Sequence, residues 1–76
     1  MRVVREVEHA KCKITIFSWN LKYLIKLEKG PYEQTFKVSE MDVTEAELDE
    51  ILSDDFIQEA VNRFDGMHAS LQKHLI

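Results

Sequence analysis

Seventy-six residues suffice for one small domain over 1–76 with a thin core, which leaves little room for a substrate pocket as well. Hydrophobic residues at 45% and charged residues at 32% exclude a disordered chain, and the lone Cys12 excludes an intramolecular disulfide. The net charge of −4 is segregated: residues 1–39 carry eight Lys/Arg against four Asp/Glu, whereas residues 40–76 carry two against ten.

The apolar pattern changes period where the charge changes sign. It alternates up to residue 39 and recurs at helical spacing beyond it. The expected fold is α+β. An antiparallel meander of three to four strands covers about residues 2–39, followed by a short helix over about 45–52. A long amphipathic helix over about 55–74 then packs on the sheet. No run reaches the roughly 18 apolar residues that span a bilayer, so no membrane contact is expected. Charges at residues 2, 5, 6 and 8 interrupt any signal-peptide core. With a single cysteine, the expected location is cytoplasmic.

Residues 2–8, with Val3, Val4 and Val7, read as a strand or as the start of a long first one, a short helix being the alternative. Next comes a hairpin. Ile14 and Ile16 point one way and Lys13, Thr15, Phe17 and Trp19 the other, while Tyr23, Ile25 and Leu27 share a side of the returning segment. Folding about Asn20-Leu21 sets Ile16 opposite Ile25, Ile14 opposite Leu27 and Lys13 opposite Glu28. A loop of two or four residues gives this pairing. The four-residue form suits Leu21 better, because a tight primed turn wants φ > 0 there. Lys29-Gly30-Pro31 marks the next turn. Tyr32, Phe36 and Val38 then share one face, and Glu33, Thr35, Lys37 and Ser39 the other. The register of this strand is open between pairing Lys26 with Glu33 and pairing Ile25 with Phe36.

Thr44-Glu45-Ala46-Glu47 matches a capping box, with Leu48, Ile51 and Leu52 as the stripe of a short helix. Ser53-Asp54-Asp55 offers the next N-cap. Ile57, Val61, Phe64, His68, Leu71 and Leu75 follow at alternating spacings of four and three, a heptad seam widened by Phe56, Ala60 and Met67. Gly66 lies inside this seam, as a kink, a close contact or an early stop.

Two candidate surfaces emerge. Lys13, Phe17, Trp19, Lys22, Leu24, Lys26 and Lys37, with Lys11 and Thr15, project from the side of the sheet that the helices do not need. Lysines around aromatic rings neutralise phosphates and stack bases, the requirement of a single-strand nucleic-acid platform. Equally, Phe17, Trp19 and Leu24 form a small second cluster, covered by the N-terminal strand or a partner subunit. The second surface is a self-association seam of Val61, Phe64, His68, Leu71 and Leu75, some of which packs against the same helix of a second subunit. The alternative is that the whole stripe packs on its own sheet as core.

No catalytic, cofactor or metal residue is assigned. His68 and His74 fall on different sides of a helix, and Asp65 with His68 supplies only two ligands. Cys12 reads as an inert core thiol, and the glycines form no phosphate loop. The acidic run Glu45, Glu47, Asp49, Glu50, Asp54 and Asp55 lacks the spacing of an EF-hand.

The leading expectation is therefore a small non-catalytic interaction protein that forms a homodimer and binds another macromolecule, protein rather than nucleic acid. Single-strand nucleic-acid binding through the lysine and aromatic face is the first alternative. An acid-faced modulator of a basic partner, acting through Glu45–Asp55, is the second. In architecture alone, a meander followed by a dimerising helix resembles the whirly and transcription-coactivator domains. No residue motif accompanies that likeness, and no site is carried over from it.

Overall fold

A computed structural model describes residues 1–75. Four strands, β1 (Arg2–Glu8), β2 (Lys13–Trp19), β3 (Lys22–Lys29) and β4 (Tyr32–Ser39), precede two helices, α1 (Glu45–Ile51) and α2 (Asp54–His74). The strands pair antiparallel in the order β1-β2-β3-β4, an α+β meander with both helices at the C-terminal end of the chain.

In β1 the alternation is broken by a bulge. Val3 pairs with Phe17 and Arg5 with Ile16, which leaves Val4 as the extra residue. The bulge allows Val4 and Val7 both to pack on the core, and it turns Arg5 toward α1, where its guanidinium meets the Asp49 carboxylate.

The β2–β3 pairing sets Ile16 against Ile25, Ile14 against Leu27 and Lys13 against Glu28, as the apolar alternation requires. The turn is tighter than the chemistry of Leu21 predicts. Trp19 pairs with Lys22, so the loop is two residues, and Asn20 and Leu21 take φ of 54° and 62°. Asparagine visits this left-handed region readily and leucine does not. The turn is nevertheless held from the next connection, because the Leu21 carbonyl accepts the Glu40 amide at 3.0 Å. Leu21→Gly is expected to raise stability by about 1 kcal/mol, since Asn-Gly is the preferred pair in such a turn. Urea unfolding of the two chains measures it, and an unchanged or lower midpoint would mean that Leu21 is not strained.

The β3–β4 turn places Gly30 first, with φ of 59°, and Pro31 second, the order a type II′ turn uses. Ile25 pairs with Phe36, which closes the open register. The rival contact survives as a diagonal one, with Lys26 Nζ 3.3 Å from Glu33.

The core lies between the sheet and the helices, with Ile14, Ile16, Ile25 and Leu27 from the strands fully buried against Leu48 of α1 and Phe64 of α2. Both helix starts are capped as their sequences predict. Thr44 and Glu47 form the reciprocal box on α1, and Ser53 Oγ accepts the Phe56 amide on α2. Gln34 fixes α2 to the sheet, donating to the Ala60 carbonyl at 2.9 Å and accepting from Arg63 Nε at 2.8 Å. Arg63 also lies 5.7 Å over the Phe36 ring.

Gly66 neither kinks nor stops α2, and open space surrounds it: a side-chain carbon there would meet no atom within 4 Å. The glycine thus costs helix stability with no packing return. Gly66→Ala is expected to stabilise the chain by about 1 kcal/mol, seen as a higher thermal midpoint, and a loss of stability would show that the position needs glycine.

Candidate interaction surfaces

Cross-strand partners share a face, so the register assigns every residue on the side of the sheet away from the helices. The rows run Trp19–Lys22–Ser39, then Val3–Phe17–Leu24–Lys37, then Glu6–Thr15–Lys26–Thr35, and last Glu8–Lys13–Glu28–Glu33. All seven residues singled out on this face, Lys13, Phe17, Trp19, Lys22, Leu24, Lys26 and Lys37, lie in these rows. Lys11 does not belong with them: it precedes β2, and its ammonium reaches Gln58 of α2 on the opposite side.

The face is zoned rather than uniformly basic. It carries four lysines, 13, 22, 26 and 37, and four glutamates, 6, 8, 28 and 33, so its formal charge is zero. Lys26 sits between Glu28 at 3.9 Å and Glu33 at 3.3 Å, and Lys13 stands between Glu8 and Glu28 across the strands. Lys22 and Lys37, at the other end, enter no ion pair among the described residues. The glutamates of β1 are invisible to an alternation that skips the bulge, and they complete the neutralisation.

Leu24 is only 8% exposed although no helix covers it, because Phe17 and the Lys22, Lys26 and Lys37 stems crowd round it. The N-terminal strand adjoins this cluster edge-on, through Val3 beside Phe17, and does not cover it. Trp19 remains 51% exposed. Around it at the β2–β3 end gather Met1, Val3, Leu21 (74% exposed) and Met41, five of the seven large exposed apolar side chains among the described residues. This end patch was not legible from periodicity, since Leu21 and Met41 lie in turns.

The self-association seam divides in two. Val61 and Phe64 are buried against the chain's own sheet, whereas His68, Leu71 and Leu75 are exposed. At the division His68 Nδ1 lies 2.9 Å from the Tyr32 hydroxyl, the rings edge to face at 5.8 Å. An open pocket of about 190 Å³ lies here, walled by Gly30, Pro31, Tyr32 and Phe64 and rimmed by Lys29, Asp65 and His68. Lys29 Nζ and the Asp65 carboxylate stand 3.9 Å apart across the rim.

Of the acidic run, Asp49 is engaged by Arg5 and Asp54 lies 4.0 Å from His9, while Glu45, Glu47, Glu50 and Asp55 face outward. Burial pushes the Cys12 thiol above its ordinary value, which keeps it protonated and poorly nucleophilic. No helix among the described residues is long and apolar enough to cross a membrane. No family model, curated protein or solved structure matches the chain.

Proposed function

We propose that the chain is a small non-catalytic interaction module that works in the cytoplasm as a pair of copies. Each copy holds a partner protein against the β2–β3 end of its open sheet face. Leu21 carries this reading. A leucine that is 74% exposed with φ of 62° costs the fold twice, in strain and in apolar surface left wet. Glycine would make the same turn without either cost. Beside exposed Trp19 and Met41, the leucine is accounted for by a contact outside the chain. Lys22 and Lys37 rim the patch without ion-pair partners among the described residues, so the partner segment is apolar with acidic flanks. A single buried free thiol suits a reducing compartment.

One observation favours a second reading, single-strand nucleic acid: the half-exposed Trp19 ring beside Lys22. Against it, four glutamates share the face, and Lys22 and Lys37, the two lysines away from those glutamates, leave little to neutralise phosphates.

Trp19 is the only tryptophan, so its fluorescence reports on the patch. Apolar peptides with acidic flanks are expected to shift its emission to the blue, and Lys22→Glu to weaken them at least tenfold. Peptides with basic flanks should do neither. Equal response to both flanks would overturn the assigned partner chemistry. Quenching by short single-stranded DNA that fades steeply with salt would put the nucleic-acid reading in its place.

A further inference from the structure

The stripe Ile57, Val61, Phe64, His68, Leu71, Leu75 keeps one direction along α2, but its surroundings change abruptly. Up to Phe64 it is buried on the sheet; from His68 through Leu75 every residue is exposed. The register explains the change. His68 meets Tyr32 at the β3–β4 turn, where the sheet ends, and α2 continues past that edge. Leu71 at 45% and Leu75 at 58% exposure thus face the empty space beyond the sheet, on the side where Phe64 finds its core. The pocket opens at the same edge, directly under the last buried turn of the helix.

We propose that a second copy of the chain fills this space, the two projecting helix ends lying antiparallel so that each copy seats Leu75 in the other's pocket. Three features select a second copy over a foreign partner. First, the exposed leucines and the apolar pocket belong to one stripe of one helix, so a two-fold axis beside Leu71 satisfies both in both copies at once. That axis sets Leu75 opposite Met67 and His68, and His68 is on the pocket rim. Second, the pocket suits a leucine: its volume of about 190 Å³ takes one aliphatic side chain with room to relax. A dry cavity of about 150 Å³ already holds a benzene. Third, nothing on the stripe repels a like copy. Between Gly66 and Leu75 the only Lys, Arg, Asp or Glu is Lys73, which is nine residues from Phe64 and therefore half a turn away from the stripe.

The inference rests on the proposal that the chain works as a pair, and it is independent of what the sheet face binds. Sedimentation equilibrium of the full chain from micromolar to millimolar concentration tests it. A reversible dimer is expected, with Leu71→Asp and Leu75→Asp each raising its dissociation constant at least tenfold. Far-ultraviolet circular dichroism should not change, because both side chains are exposed in the single chain. Under mild oxidation, a mixture of Leu75→Cys and Pro31→Cys chains should form a mixed disulfide. Leu75→Cys mixed with Trp19→Cys should not.

A wild-type chain that stays monomeric at millimolar concentration would overturn both this inference and the paired form, and leave the sheet-face reading standing. A dimer that survives Leu71→Asp and Leu75→Asp but yields to Trp19→Ala would overturn only the helix arrangement. Absence of the mixed disulfide from a dimer that depends on Leu71 would overturn the seating of Leu75 in the pocket.

Discussion

Phe64→Ala is expected to cost about 3–5 kcal/mol in urea unfolding, a large share of what a domain this small possesses. The ring is almost wholly buried and packs with Ile14, Ile16, Ile25 and Leu27 in one cluster. Its loss removes transfer energy and leaves a cavity that two rigid layers cannot close. Leu71→Ala, on the same stripe two turns later, should cost under about 0.5 kcal/mol in the single chain, because that side chain loses little on unfolding. The contrast is the informative measurement. Equal costs at the two positions would mean that Leu71 is covered within its own chain, contrary to the exposure described above.

The second large effect is expected at Leu48→Ala, about 2–4 kcal/mol. Helix α1 has seven residues, far too few to be stable alone, and Leu48 is its one fully buried side chain. The capping box fixes where the helix begins, and the Arg5–Asp49 pair ties it to β1 at a largely exposed site of small worth. Without the Leu48 anchor, α1 should detach while the sheet and α2 remain. Hydrogen exchange would show amide protection lost over residues 48–52 and kept in β2 and β3. A cost below about 1 kcal/mol, with protection intact, would place the hold of α1 elsewhere.

Much of this arrangement is legible in the chain. The pairings Ile16–Ile25, Ile14–Leu27 and Lys13–Glu28 follow from alternation together with a turn centred on Asn20-Leu21, because a loop of odd length would put the isoleucines of the two strands on opposite faces. The helix starts are legible because Thr44, Glu47 and Ser53 satisfy backbone donors that nothing else nearby reaches. The two-residue turn is not. Local preference argues against Leu21 at positive φ, and the Glu40 amide that bonds its carbonyl is nineteen residues away. The charge balance of the open face is hidden for a related reason: the bulge at Val4 decides which side Glu6 and Glu8 occupy, and a bulge leaves no periodic trace. The projecting end of α2 is hidden too. Periodicity gives the direction of the stripe, but where the sheet beneath it ends depends on the β3–β4 turn.

The strand order bears on how the chain reaches this state. Each strand pairs with its neighbour in sequence, and the two later hairpins close over loops of two residues. Ring-closure entropy is therefore met in small instalments, and isolated hairpins form in about 1–10 μs. Folding should be rapid for a sheet protein and should show one exponential phase, with the early nucleus at β2–β3, the hairpin shared by both neighbouring pairings. Helix α2 then docks last on a surface already built. Substitutions at its exposed turns should alter the unfolding rate and leave the folding rate nearly untouched.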